Sequence, residues 1–146
     1  MRLFSALLLS FLWLVSAGWE TDIDTAKQKA AAEHKFILLN FSGSDWCGPC
    51  IRMHKEIFEA DVFKSYAGKN LVLVNADFPR LKKNKLSKEQ QKKNDLVADK
   101  YNSKGVFPLT LLLTADGKTI FTWEGMPDQS PEQFVNQLKE LINARN

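Results

Sequence analysis

Two cysteines, Cys47 and Cys50, stand two residues apart and are the only thiols in this chain of 146 residues. A disulfide across so short a loop would constrain almost none of the unfolded chain, so it would stabilise the fold poorly. Where a strand ends and a helix begins, the free N–H groups of the first turn favour a thiolate, which is the nucleophile in disulfide exchange. The spacing therefore predicts redox catalysis, with Cys47 attacking a substrate disulfide and Cys50 resolving the mixed disulfide.

The residues around the cysteines suit this chemistry. Gly48 allows a substrate backbone to approach closely, and Trp46 provides an apolar rim on which a substrate chain can rest. Pro49 fits the first turn of a helix, where it costs no hydrogen bond. The motif thus predicts both a nucleophile and a surface beside it that can hold a peptide.

Other roles for a Cys-x-x-Cys pair have to be weighed. A zinc site needs two further ligands, for which His34 and His54 are the candidates, and no second ligand pair is visible. We therefore predict no metal and no cofactor, and we interpret His54 as a surface residue of its helix. Transient binding of a soft metal such as Cu(I) and an inert buried dithiol remain as alternatives.

The first 17 residues have the pattern of a secretory signal peptide. Arg2 supplies a positive start, residues 3–15 are apolar apart from two serines, and Val15 and Ala17 occupy the −3 and −1 positions of a cleavage site. The apolar stretch is shorter than the ~20 residues that a transmembrane helix needs. We expect cleavage after Ala17, with cleavage after Gly18 or an uncleaved anchor as alternatives. The mature protein, residues 18–146, would then be periplasmic or secreted.

Strands and helices alternate along the rest of the chain. Apolar runs predict strands at 36–41, 70–77, 109–114 and 118–123, and helices are expected at 23–32, 50–58, 60–66, 87–101 and after Ser130. Gly68 is taken as the stop of the third helix, and the Asp-Gly pair at 116–117 predicts a hairpin. The order predicts one α/β domain with a mixed central sheet flanked by helices. The core-facing helix residues are expected to be Ile51, Met53, Ile57, Phe58, Leu86, Leu96, Val97, Tyr101, Phe134, Leu138, Leu141 and Ile142.

Three landmarks, in the right order, resemble the thioredoxin family. The segment Trp46-Cys47-Gly48-Pro49-Cys50 is similar to its active site, and Gly105-Val106-Phe107-Pro108 resembles the segment that carries the family's cis-proline. Gly125 resembles the glycine after the last strand. The resemblance spans roughly residues 36–142 and implies a thioredoxin-like fold and thiol–disulfide oxidoreductase activity. It also implies a groove that pairs with an extended substrate segment, formed by Trp46, Gly48, Pro49, Phe107, Pro108 and Gly125.

The sequence departs from that family at four positions. Asn40 takes the place of a buried aspartate that helps to deprotonate the resolving cysteine, and we align Leu73 with the lysine that pairs with it. The usual proton relay is therefore expected to be absent. Asp45 is expected to disfavour the Cys47 thiolate through like-charge repulsion. Leu109 replaces the threonine after the cis-proline, which makes the groove more apolar. The lysine-rich loop at 80–85 and the signal peptide make the chain more similar to exported bacterial members of the family.

The resemblance favours one function over the alternatives. Gly-Pro between the cysteines is the dipeptide of reducing family members, so we predict a reductase of protein disulfides outside the cytoplasm. Such a protein needs a membrane-embedded thiol reductase as its electron donor, and we expect it to be a monomer. A disulfide oxidase or isomerase is one alternative, and a Cu(I) or cytochrome-maturation thiol chaperone is another. A formal charge of +3 is too small and too dispersed to predict nucleic-acid binding.

Overall fold

A computed structural model describes residues 18–145 of the chain. Its four strands are β1 (Phe36–Ser42), β2 (Leu71–Asp77), β3 (Leu109–Leu113) and β4 (Thr119–Glu124). Its helices are α1 (Ile23–Glu33), α2 (Gly48–Met53), α3 (Asp61–Asn70), α4 (Lys88–Tyr101) and α5 (Pro131–Asn143). A π-helical turn, His54–Phe58, continues α2, and a short 3₁₀ turn, Lys82–Asn84, precedes α4.

The strands form one mixed sheet in the order β2-β1-β3-β4. The β1 strand pairs in parallel with β2 and antiparallel with β3, and β4 is antiparallel to β3. Alternate residues of β1 enter two separate apolar clusters, one on each face of the sheet. One cluster holds Leu38 with residues of α3 and α5, and the other holds Ile37 and Leu39 with residues of α1. The predicted α/β fold with a mixed, two-sided sheet is confirmed.

Side-chain caps fix where three helices begin. The carboxylate of Asp22 accepts hydrogen bonds from two N–H groups at the start of α1, and Ser87 accepts one at the start of α4. At the start of α5, Ser130 and Gln133 form a reciprocal capping box. Each cap satisfies N–H groups that have no partner within the helix, and the predicted starts at Ser87 and Ser130 are confirmed.

The segment before α1 lies along the outer edge of β2. The N–H of Glu20 donates to the carbonyl oxygen of Leu73 at 2.8 Å, and the carbonyl oxygen of Glu20 accepts from the N–H of Asn75 at 2.9 Å. This makes an isolated parallel bridge to Val74. The edge of the sheet is therefore partly covered by residues that precede the first helix.

Two residues expected in the core are exposed. Ile51 is 47% exposed and Leu96 is 60% exposed. Met53, Ile57 and Phe58 form the buried side of this helical stretch, and Ile51 lies about 200° around α2 from Met53, on the exposed side. Leu96 lies about one hundred degrees around α4 from Val97, which packs against the sheet.

The expected stop at Gly68 is also wrong. Helix α3 continues to Asn70, whose side-chain amide donates to the carbonyl oxygen of Tyr66 at 2.9 Å. The carbonyl oxygen of Gly68 accepts a hydrogen bond from Lys35 Nζ at 3.1 Å. Those two contacts hold the last turn of the helix before Leu71 enters β2.

The predicted signal peptide, residues 1–17, lies outside the described residues. Across residues 18–145, no helix combines the length and the apolar character that a membrane span requires.

Candidate active site

The redox pair lies at the start of α2, directly after the carboxyl end of β1. Cys47 is the N-cap of the helix and forms a disulfide with Cys50, with their Cα atoms 5.2 Å apart. The N–H of Cys50 donates to Cys47 Sγ at 3.3 Å. After reduction, this N–H and the positive end of the helix dipole favour a negative charge on the Cys47 sulfur. The geometry therefore favours the thiolate form of Cys47 after reduction, and its role as the nucleophile stays a prediction.

Exposure does not distinguish the two sulfurs in the oxidised pair. Cys47 is 5% exposed and Cys50 is 4% exposed. The difference between them lies in position, because Cys47 caps the helix and Cys50 lies within its first turn. Gly48 and Pro49 between them are both exposed. A Cβ atom at Gly48 would meet no other atom within 4 Å, so an incoming chain can approach the disulfide there.

Trp46 is held in place by contacts on three sides. Its ring lies against Gly43, where an added Cβ would come within 2.2 Å of the Trp46 Cε2 atom. Its Nε1–H donates to the carbonyl oxygen of Phe78 at 2.7 Å, and the Arg80 guanidinium lies 3.6 Å from the ring centroid. The ring is thus fixed next to the cysteine motif.

The segment before β3 lies against the Trp46 ring. The Phe107–Pro108 peptide bond is cis, as the resemblance implied. Antiparallel pairing of β1 with β3 matches Phe41 with Leu109, so Pro108 is brought to the end of β1 where the cysteine loop begins. The Phe107 ring lies 5.4 Å from the Trp46 ring, centroid to centroid.

Gly125 follows β4 and joins the same region. Its N–H donates to the carbonyl oxygen of Pro108 at 2.8 Å, and its φ of 76° is a left-handed conformation that favours glycine. The structure therefore brings Trp46, Phe107, Pro108 and Gly125 together beside the exposed motif residues. Their role in binding substrate stays a prediction.

A neutral polar network replaces the charged pair that the resemblance led us to look for. Thr110 Oγ1 donates to Asn40 Oδ1 at 3.0 Å, and Asn40 Nδ2 donates to Asn75 Oδ1 at 3.1 Å. Ser42 Oγ also donates to Asn75 Oδ1, at 3.1 Å. Asn40 is 6% exposed, so these bonds satisfy an amide that has lost nearly all of its contact with bulk water.

The alignment of Leu73 with the family's lysine is wrong. In the register of β1 and β2, Asn40 lies opposite Asn75, and Leu73 lies opposite Leu38 in the apolar core. Because β2 is largely a run of Leu and Val, nothing in its sequence marks which residue lies opposite Asn40. The expected position of the lysine, Leu73, is therefore two residues before the residue that lies opposite Asn40, which is Asn75. The buried pair in this protein is therefore Asn40–Asn75, without a formal charge.

Asp45 anchors the lysine-rich loop that follows β2. Its carboxylate accepts hydrogen bonds from the N–H groups of Arg80 and Leu81, at 2.9 and 3.0 Å, and from the side-chain amide of Asn84 at 3.0 Å. The Arg80 N–H bond, followed by the Asn84 bond, holds the pKa of the Asp45 carboxyl below its ordinary value. The expected repulsion between Asp45 and the Cys47 thiolate stays a prediction.

Several contributors to the site carried no clear signal in the sequence. Arg80 and Phe78 reach Trp46 from a loop more than thirty residues away in the chain. Trp19, which precedes the first helix, packs 5.1 Å from Phe58 and 6.4 Å from His54, centroid to centroid. Only the polar end of the second apolar run, at Asn75, could have pointed to the buried network. Within residues 18–145, no group of three or more His, Cys, Asp or Glu side chains is arranged to hold a metal ion.

Fold, cis-proline and helix-capping disulfide together define a thioredoxin-like oxidoreductase. Residues 23–142 match the thioredoxin-like domain family, and the chain belongs to that family of thiol–disulfide oxidoreductases, with the Cys47–Cys50 disulfide in its Cys-x-x-Cys motif.

Among its relatives is the disulfide bond reductase DsbH of Chlamydia pneumoniae, with 34% identity over 127 residues, which cover 87% of this chain and 74% of the relative. The thioredoxin-related protein DsbJ of the same organism is 28% identical over 88% of this chain and 36% of its own length.

Solved structures agree with the family assignment. A DsbH oxidoreductase superposes with a TM-score of 0.77 and 31% identity, covering 95% of each chain. A thioredoxin from Thermus thermophilus superposes with a TM-score of 0.65 at 14% identity, covering 87% of this chain and 88% of its own, and supports the fold alone.

Proposed function

We propose that this protein reduces disulfides in other proteins outside the cytoplasm. The observation that carries the proposal is the Gly48-Pro49 dipeptide within a disulfide whose first sulfur caps a helix. A relative with 34% identity bears the name disulfide bond reductase, which supports the reducing direction. Reducing members have potentials near −270 mV, whereas strong oxidants lie near −120 mV.

The reaction proceeds in two exchanges. An extended substrate segment lies across the surface formed by Trp46, Phe107 and Pro108, and the Cys47 thiolate attacks one sulfur of its disulfide. This forms a mixed disulfide and releases the first substrate thiolate. Cys50 then loses its proton and attacks Cys47 Sγ, which releases the second substrate thiolate and restores the Cys47–Cys50 disulfide.

Each turnover leaves the protein oxidised, so it needs a donor of two electrons. In an oxidising compartment we propose a membrane thiol reductase for this role, and we propose that the protein acts as a monomer. The predicted signal peptide supports export, to the periplasm or the medium. Mass analysis of the protein recovered outside the cytoplasm would test this, and we expect a mature chain that begins at Gly18. A chain that still begins at Met1 would contradict cleavage.

The direction of electron flow is tested by equilibrating the Cys47–Cys50 pair with glutathione. We expect a potential near −270 mV, and a value well above −200 mV would overturn the reductase proposal in favour of an oxidase or isomerase. The substrates and the donor are captured with Cys50→Ser, which cannot resolve mixed disulfides. Cys47→Ser is the matched control, and equal capture by both variants would contradict the role of Cys47 as nucleophile.

A further inference from the structure

Cys50 and His54 line one cavity of about 380 Å³, although they have very different exposure. Cys50 is 4% exposed, whereas the His54 side chain is 57% exposed. The two residues are four apart on one helical stretch, so their side chains emerge on the same face. A cavity of this size, lined in part by polar side chains, has room for several water molecules. It therefore connects the buried sulfur of the resolving cysteine with an imidazole at the surface.

Among the described residues, the sheet side of this cavity has no group that accepts a proton readily. Asn40, Ser42 and Asn75 line it, and their amides and hydroxyl are neutral at ordinary pH. Asp77 ends the same network, but it does not line the cavity, and its oxygens accept hydrogen bonds from Ser42 and from both the N–H and the hydroxyl of Ser44. The thiol of Cys50 must nevertheless lose its proton before it can resolve a mixed disulfide.

His54 is held so that its ring can serve this purpose. Its Nε2 atom lies 3.3 Å from Glu59 Oε1, so this carboxylate can form an ion pair with the imidazolium once the ring has accepted a proton. The ring also packs against Trp19 and Phe58, with centroids 6.4 and 6.5 Å away.

The charged groups around His54 leave it as the proton acceptor of the cavity. Glu59 also contacts Lys64 Nζ, at 3.4 Å, so its charge is shared between two partners. Lys55 also lies in the described lining of the cavity, and a lysine ammonium group donates hydrogen bonds but accepts none. Trp19 brings no charge of its own to the ring.

We propose that His54 accepts the proton of Cys50, through water in this cavity, during resolution of the mixed disulfide. The Cys50 sulfur forms a bond to Cys47 Sγ, the bond from Cys47 Sγ to the substrate sulfur breaks, and the substrate leaves as a thiolate. The imidazolium then returns its proton to the leaving thiolate or to solvent, so protons and electrons balance. The inference rests on the proposed roles of Cys47 and Cys50, and it assigns to His54 the task that a buried carboxylate performs in thioredoxins.

Stopped-flow reaction of the reduced protein with dithiobis(nitrobenzoate) separates the two steps. The first release of coloured thiolate depends on reagent concentration and reports attack by Cys47. The second release is independent of reagent concentration and reports resolution by Cys50. With His54→Gln we expect the second phase to slow at least about tenfold near pH 7, as for loss of a general base, with the first phase unchanged. The difference should disappear near pH 10, where a thiol ionises without help.

Lys55→Gln is the matched control, because Lys55 lines the same cavity, and it should leave the second phase within about twofold of wild type. Imidazole added to His54→Ala should restore part of the lost rate.

Three results would overturn the inference. These are a second phase of His54→Gln equal to wild type, a slowing by the same factor at every pH, and an equal slowing in Lys55→Gln. Absence of the first phase in wild type would instead contradict the proposed roles of the cysteines.

Discussion

Replacing Asn40 with aspartate would return a carboxyl group to the place where thioredoxins have one, but without its cationic partner. One new oxygen would keep the hydrogen bond from Thr110. The other would replace the Nδ2 group that now donates to Asn75 Oδ1 at 3.1 Å, so two acceptors would face each other. At a site that is 6% exposed, this raises the pKa of the new carboxyl above its unfolded value.

The cost follows from the difference between the folded and unfolded pKa values. A buried carboxyl without a counter-charge is shifted by up to about 3 units, and each unit corresponds to about 1.4 kcal/mol. Because Asn40 also lines the cavity, water lowers the shift, and we expect a loss of about 2–4 kcal/mol at neutral pH. Below about pH 4 both states are protonated, so the loss disappears there and grows as pH rises towards the folded pKa.

Urea unfolding of the oxidised protein between about pH 3.5 and pH 8 measures this loss. Double variants then test the register of the sheet. Asn40→Asp with Asn75→Lys should show a favourable coupling energy, whereas Asn40→Asp with Leu73→Lys should not, because Leu73 lies opposite Leu38. A loss that does not change with pH would refute the electrostatic argument. A favourable coupling confined to Leu73→Lys would refute the register.

Three further substitutions test the site and the core. Gly43→Ala places a Cβ within 2.2 Å of the Trp46 ring, so we expect the ring to move. Tryptophan fluorescence should change, and protein-disulfide reduction should become slower. Gly48→Ala is the control for fluorescence, because a Cβ there meets no atom within 4 Å. Because the pKa of Asp45 is lowered in the folded protein, its carboxylate stabilises the loop at pH values above the ordinary aspartate pKa. This stabilisation is lost as the pH falls through the pKa of Asp45 in the folded protein. Asp45→Asn should therefore remove the acid dependence of amide-exchange protection in that loop, and an unchanged dependence would contradict its role. Phe134→Ala, at a fully buried ring, should lower the free energy of unfolding by about 3–5 kcal/mol, and a loss under about 1 kcal/mol would contradict its central place in the core.

Local signals in the sequence predicted much of the fold. Ser130 and Gln133 marked the start of α5 because a capping box depends only on residues three apart. The Asp-Gly pair predicted the hairpin because glycine readily adopts the positive φ that tight turns need. Gly117 has a φ of 89° in the structure. The cysteine motif likewise predicted the N-cap position of Cys47 from its neighbours alone.

Features that depend on distant parts of the chain were not predictable in this way. The π-helical turn at His54–Phe58 has no mark in a helical periodicity. The pairing of Asn40 with Asn75 depends on the register of two apolar strands. The contact of Arg80 with Trp46 depends on how Asp45 folds a loop from elsewhere in the chain. The sequence therefore predicts the position of the cysteine pair well and its surroundings less well.

The bridge between Glu20 and Val74 has a practical consequence for anyone producing this protein. A shortened version that begins at Asp22 would lose two main-chain hydrogen bonds to the rim of the sheet, together with the indole of Trp19 that flanks the histidine. Bare strand rims recruit strands from other copies, so such a version should self-associate as its concentration increases. An affinity tag is therefore better placed after Asn146 than fused close to Trp19.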